Sequence, residues 1–208
     1  MSTGTKGPGL KIISDDDRSE QTAPVVISKT PGFGPACEGE GTVFGARMPG
    51  YGARSVPGSV VRKWISLLKG QGIQRICCLL AQSQLGYYLE DFLTIVKEEM
   101  GPGNVLWSPI EDHHVCTLDT LRNILYFLKD SDEKGQPVAV HCAGGRGRTG
   151  LILSAWLVFG RGFPLERALS TVMETGREPY EAVRAGNAKE EEIRALLNNL
   201  MQERPDCG

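Results

Sequence analysis

The sequence predicts an α/β layer fold: a single domain with a small, mostly parallel central sheet, helices on both faces, and a C-terminal part that is all helical. Three observations carry that expectation. Short apolar runs of strand length alternate with longer stretches of helical period as far as residue 160. One of those helical stretches is apolar nearly all round and belongs inside the molecule. Beyond Gly162 no strand-like run remains.

The chain has 208 residues, room for one domain of ordinary size plus tails. Residues 1–24 are Gly/Ser/Thr-rich, carry Asp15, Asp16 and Asp17, and read as a flexible tail. The domain is expected over 25–204. VVISK (25–29) and TVFGAR (42–47) are β-type runs separated by the Gly/Pro stretch TPGFGPACEGEG. Pro57 opens a helix in which Val60, Val61, Trp64, Leu67 and Leu68 recur at helical spacing until Gly70 and Gly72 stop it. IQRICCLL (73–80) has strand length. LGYYLEDFLTIVKEEMG (85–101) reads as one amphipathic helix with Leu89, Phe92, Leu93 and Val96 inward. NVLWSPI (104–110) is strand-like and breaks at Pro109. A helix follows over 117–130 with Leu118, Leu121, Leu125 and Leu128 on one stripe. PVAVH (137–141) is a buried strand, and TGLILSAWLVFG (149–160) is the helix that is apolar all round. PLERALSTVMETG, with Pro in its first turn, EPYEAVRAG and KEEEIRALLNNLMQER complete the chain as helices.

Composition excludes several functions. Forty percent apolar residues and a net charge of −2 suit a soluble domain with a real core, and no charge excess favours a nucleic acid or an anionic membrane. No apolar run is long enough to span a bilayer, and the first residues lack the apolar block of a signal peptide. The six cysteines (Cys37, Cys77, Cys78, Cys116, Cys142, Cys207) show no CxxC and no framework spacing. Reduced thiols in a cytoplasm are expected. Oligomeric state is left open.

The chemistry is concentrated in HCAGGRGRTG (141–150), between a strand and a helix. Gly145 to Gly150 fit G-x-G-x-x-G, the fingerprint of a dinucleotide fold. Such a fold needs a second parallel strand after the helix, ending in an acidic residue. Here the next segment is RGFPLERALSTVMETG, with Glu166 in another helix, so that reading fails. Counting from the cysteine instead yields H-C-x5-R-T. A phosphate ester is a dianion that repels nucleophiles, so its oxygens must be neutralised as a thiolate approaches phosphorus. A five-residue loop, Ala143 to Gly147, can curl so that successive N–H groups face one centre, and glycines at 144, 145 and 147 permit the approach. The following helix adds its positive end. Arg148 supplies a planar fork for two phosphate oxygens, which Lys cannot copy. The same field favours the thiolate of Cys142. A buried cysteine in a tight turn would leave the two loop arginines, Arg146 and Arg148, unexplained.

HCAGGRGRTG resembles the signature loop of the cysteine-dependent protein tyrosine and dual-specificity phosphatases. The resemblance implies Cys142 as nucleophile, Arg148 as phosphate clamp, and Thr149 as the hydroxyl that steadies the thiolate when it leaves. It implies that His141 orders the loop and that Ala143, Gly144, Gly145, Arg146 and Gly147 line the phosphate site. Leaving groups need a proton donor, and water afterwards needs a base. In that family an Asp some thirty residues ahead of the cysteine does both. SPIEDHHV places Asp112 there, in a Pro-Ile-x-Asp setting after a strand. Glu111 is its neighbouring rival. Asp119 is the more distant one, expected in the first turn of a helix where the dipole stabilises a carboxylate.

GARMPGYG, VVRKWISLLKGQGIQRICCLL and GREPYEAVRAGN are similar to the small microbial dual-specificity-type branch, in which the last segment borders the pocket. The likeness runs from about residue 40 to 200. The Trp-Pro-Asp form and the phosphotyrosine-recognition loop of the large tyrosine-specific enzymes are missing, which implies a shallow pocket for phosphotyrosine, phosphoserine and phosphothreonine. No cofactor and no metal are expected. His113, His114 and Cys116 have no ligand set to join and read as parts of the acid loop. Cys77 and Cys78 sit in a strand expected beside PVAVH, where either could trap an oxidised Cys142, although buried structural cysteines are commoner.

Phosphorylated proteins are therefore the expected partners. Arg146 raises a rival, because tensin-like phosphoinositide phosphatases carry a basic residue at that loop position. An inositol lipid or an RNA 5′-triphosphate end would use the same loop. The other rival is a silent module that only captures phosphorylated partners. Its usual mark is loss of the cysteine, the arginine or the acid, and all three are present here.

Overall fold

The computed structural model describes Met1 and residues 32–201 of the chain. Apart from Met1, the tail expected over 1–24, the strand expected over 25–29 and Cys207 lie outside the described residues. The sheet consists of Gly34–Pro35 (β1), Val43–Arg47 (β2), Arg75–Cys78 (β3), Val105–Trp107 (β4) and Val138–Cys142 (β5), in the spatial order β1-β2-β5-β3-β4. β1 runs antiparallel to β2, and all other pairs are parallel. This is the small, mostly parallel sheet that the alternation of elements predicts.

β5 lies in the middle, paired to β2 and to β3, and all five of its residues are buried. A strand covered on both faces can be apolar at every position, which is why VAV needs no polar alternation. Its side chains still alternate. Val138, Val140 and Cys142 pack into the core shared with the helices Leu118–Glu133 (α4), Gly147–Arg161 (α5), Leu165–Glu174 (α6) and Glu190–Met201 (α8). Ala139 faces the opposite core, built from Gly58–Gly70 (α1) and Phe92–Met100 (α3). α5 is buried from Gly147 to Phe159, as its all-round apolar sequence requires. Short helices Gln82–Leu85 (α2) and Glu181–Arg184 (α7) complete the chain.

Three expectations are corrected. On α1 the buried stripe is Val61, Trp64, Ile65 and Leu68, whereas Val60 and Leu67 are 38% and 48% exposed. Each lies one residue off the stripe, about 100° round the helix. The stretch 85–101 is not one helix. Its first part turns away so that Val56 pairs by backbone with Tyr87 and Leu89, and Leu89 is exposed. α3 begins at Phe92, capped by Asp91, whose side chain accepts the Thr94 amide at 2.6 Å.

The Gly/Pro stretch before β2 is also more than a linker. It contains β1, and Glu40 within it is buried. Arg161 donates to Glu40 through Nε and Nη2 at 2.9 and 3.0 Å, and Trp156 Nε1 donates at 3.0 Å. Burial alone would raise the Glu40 carboxyl, but Arg161, the Thr42 amide and Trp156 together hold it below the ordinary carboxylate range. The C-terminal end of α5 is thus tied to the segment that feeds β2. That bond fixes the helix whose other end carries the glycine-arginine loop.

Candidate active site

Parallel strands bring the segments that follow them to one edge of the sheet, the usual place for a site in such folds. Four segments meet there. They are the loop after β2 (48–56), the turn into α2 after β3, the loop after β4 (108–116), and Ala143–Arg146 after β5.

The loop after β5 is held by its carbonyl groups. The Ala143 carbonyl accepts from the Met48 amide at 3.1 Å. The Arg146 carbonyl accepts from the Gly150 and Glu178 amides at 2.8 and 3.3 Å, and the Gly145 carbonyl accepts from the Arg177 guanidinium. The Cys142 carbonyl meets His141 Nδ1 at 3.4 Å. Among the described residues the amides of Ala143, Gly144, Gly145 and Arg146 donate to no protein acceptor. Donors left over while the carbonyls are drawn away make an anion nest. Gly145 is obligatory here. Its φ is +70°, and a Cβ would lie 2.6 Å from the Ala46 carbonyl oxygen.

Cys142 ends β5 at the floor of this loop, 2% exposed, and Thr149 Oγ1 donates to its Sγ at 3.1 Å. Arg148 is buried and turned toward the loop after β4. Its Nη2 donates to Asp112 Oδ1 at 2.7 Å, and its Nη1 donates to Gln84 Oε1 and the Ile110 carbonyl, each at 2.8 Å. Gln84 completes the bridge by donating Nε2 to Asp112 Oδ2 at 3.1 Å. Two bonded groups therefore stand on these segments, Cys142 with Thr149 and Arg148 with Asp112 and Gln84. The other carboxylates join neither. Asp119 stands in the first turn of α4 with its side chain 91% exposed and paired to Arg122, and Glu111 is exposed.

His141 is placed differently from its expected partners. Strand alternation sends its ring to the α1/α3 face, edge-on to Trp64 and Phe92 at centroid distances of 5.1 and 5.7 Å. Its contact with the loop is the long one to the Cys142 carbonyl. Burial pushes the ring down to about 4, so it is neutral at pH 7. The unfolded chain takes up this proton near pH 6.5 and the folded chain only near pH 4, so stability is lost as pH falls through that window. A loss of about 2 kcal/mol between roughly pH 7.5 and pH 5 is expected from this group. Denaturation of wild type beside His141→Asn checks it, since the wild-type loss should exceed that of the variant by this amount.

Cys77 and Cys78 lie on β3 beside β5, Cys78 opposite His141, and both are fully buried. Burial pushes both thiols up, Cys78 to about 12, so neither is held as a thiolate. His114 Nδ1 meets the Asp112 carbonyl oxygen at 2.7 Å, and Asn187 Nδ2 donates to the His113 carbonyl at 3.0 Å. Among the described residues no three His, Cys, Asp or Glu side chains are grouped to hold a metal.

The segment 176–187 borders the pocket through residues whose contacts the sequence did not disclose. Arg177 and Glu178 reach the carbonyls of the glycine-arginine loop, and Glu181 lies 3.8 Å from His113. Gln84 was missed as well, since a lone glutamine in a short helix carries no signal in sequence. Beside the loop runs a groove of about 360 Å³ whose walls include Arg47, Tyr51, Val60, Lys63 and Leu67, with Tyr51 next to Gly144.

Known proteins resemble this chain in sequence and in fold. Residues 59–161 match the family described as "Polymorphic toxin system, DSP-PTPase phosphatase". The chain is 41% identical over 51 residues to the uncharacterized protein MJECL20 of Methanocaldococcus jannaschii, a match covering 24% of this chain and 35% of that one. The uncharacterized protein MJ0215 of the same organism matches equally over 51 residues, 24% of this chain and 32% of its own length. The chain thus spans about a third of these curated relatives.

Among solved structures, Tk-PTP in its active form superposes with a TM-score of 0.60 at 24% identity, covering 83% of this chain and 98% of that one. PTPMT1 in complex with PI(5)P has a TM-score of 0.59 at 16% identity, covering 83% and 99%. Kinase associated phosphatase, with serine in place of its catalytic cysteine, has a TM-score of 0.56 at 17% identity, covering 77% and 84%. These three likenesses are likenesses of fold.

Proposed function

We propose that the chain is a cysteine-dependent phosphatase of the dual-specificity kind, the family whose model residues 59–161 match, and that it hydrolyses phosphomonoesters of proteins, phosphotyrosine and phosphoserine or phosphothreonine alike, through a phosphocysteine. The observation that carries the reading is the loop 142–146, with its carbonyls tied outward and its amides left for an anion above Cys142.

Substrate phosphate takes the place of Asp112 on the Arg148 fork, and Gln84 remains to hold the guanidinium. The Cys142 thiolate attacks phosphorus in line. The ester P–O bond breaks, its electron pair goes to the leaving oxygen, and protonated Asp112 supplies the proton. In the second step the Asp112 carboxylate takes a proton from water. The water oxygen attacks phosphorus, and the S–P bond breaks to return the thiolate, steadied by Thr149. Arg148 and the loop amides bind the equatorial oxygens as charge redistributes. The groove beside Tyr51, with exposed Tyr51, Val60 and Leu67, offers room for residues flanking the phosphorylated one.

One observation favours a second reading. Arg146 is exposed on the loop and, among the described residues, has no carboxylate partner, which suits a substrate with a second anionic phosphorus group, such as an inositol lipid with its phosphodiester, the lipid class bound by PTPMT1, or an RNA 5′-triphosphate. Hydrolysis of para-nitrophenyl phosphate in EDTA, followed by a panel of phosphopeptides, inositol phosphates and triphosphate RNA, tests both. Turnover with phosphopeptides as the better substrates is expected. Preference for inositol phosphates or RNA ends transfers the assignment to the Arg146 reading, and no turnover on any substrate leaves a phosphate-capturing module.

A further inference from the structure

Arg177 lies behind the glycine-arginine loop, 7% exposed. Its guanidinium donates to the carbonyls of Gly145 on the loop, Gly45 on β2 at 3.0 Å and Gly34 on β1 at 3.3 Å. All three acceptors are neutral, and among the described residues no carboxylate pairs with it. Its Nε is buried without a partner. Space is reserved for it, because a Cβ on Gly45 would collide with the guanidinium.

A buried charge without a counter-charge is costly, and a chain that keeps one has a use for it. Burial pushes Arg177 down to about 10, and the opposing attraction is that of Cys142. The other charged groups nearby are engaged elsewhere or carry the same sign. Glu178 pairs with Arg184 at 2.6 Å, Glu181 faces His113, and Arg146 and Arg148 are cations. Thr149 donates to the sulfur itself, while neutral His141 and protonated Cys78 lie on the opposite face of the sheet.

The geometry points to Arg177 as a positioning residue of the reaction loop: a fixed positive charge, unshared with any carboxylate, that favours the thiolate of Cys142 and pins the Gly145 carbonyl outward. This inference rests on the phosphatase reading for its purpose, but its test requires no substrate. The pH midpoint for alkylation of Cys142 by iodoacetamide, followed by mass spectrometry, is compared in wild type, Arg177→Met and Arg177→Lys. Arg177→Met is expected to move the midpoint up by about one unit or more, because a nearby positive charge is lost. Arg177→Lys, which keeps the charge and loses the fork, is expected to move it by less than half as much.

A folded Arg177→Met with the wild-type midpoint overturns the proposal, and so do equal shifts in the two variants, the sign of a mere staple between strands and loop. If Arg177→Met does not fold, a wild-type midpoint in Arg177→Lys supports the proposal and a full shift overturns it. If neither folds, the residue is a staple and the proposal falls. Para-nitrophenyl phosphate hydrolysis by wild type is read alongside. Its absence defeats the phosphatase reading and leaves the titration result standing.

Discussion

Cys142→Ser is expected to reduce phosphate-ester hydrolysis by at least about four orders of magnitude while the protein still binds phosphate analogues. Serine at this position stays protonated at neutral pH and is a poorer leaving group when phosphorus must be released, so both halves of the reaction suffer. The binding half of the site stays intact. Anion donors come from the backbone amides of Ala143 to Arg146 and from Arg148, and none of them is the sulfur. Calorimetric titration with tungstate, beside steady-state turnover of para-nitrophenyl phosphate, separates the two functions. A variant that keeps a tenth of wild-type turnover would remove Cys142 from the role of nucleophile.

Asp112→Asn is expected to slow esters with poor leaving groups, such as phosphoserine peptides, by roughly 10² to 10⁴. Para-nitrophenyl phosphate, whose leaving group needs no proton, should lose less than about tenfold. The amide retains an oxygen for Arg148 Nη2, so the guanidinium keeps an acceptor where the carboxylate stood at 2.7 Å. The comparison between two leaving groups is therefore cleaner than either rate alone. Equal loss on both would mean that the carboxylate acts by placing Arg148, and the acid would have to be sought elsewhere. Glu111 is exposed next to it, while Asp119 is spent on Arg122.

The glycine-arginine loop was the most legible part of the chain because its motif is compressed into ten consecutive residues, and it does join a strand to a helix. The helix apolar on every side announced its own burial, and α5 is buried through Phe159. The split of 85–101 was less visible. Period alone continued the helix backwards, whereas Val56, some thirty residues earlier, draws Tyr87 and Leu89 into a bridge. The local sign was Asp91, a good cap ahead of Phe92. His141 could have been placed by alternation, since a neighbour of inward-facing Cys142 on a strand must face the other way. Gln84 and Arg177 were out of reach. Their partners are 64 and 32 residues away, and each depends on the position of atoms rather than on residue type.

The way the Ala143–Arg146 segment is anchored has a consequence for affinity. Three carbonyl oxygens, from Ala143, Gly145 and Arg146, are fastened to groups outside the arriving ligand's reach before any ligand comes. On the phosphatase reading the cradle's shape is settled when the chain folds, and an arriving oxyanion is expected to meet donors that need little reordering. Selectivity between substrates must then come from what lies around the cradle. Homologous enzymes could exchange targets by altering the loops after β2 and β4 while leaving the reacting centre unchanged.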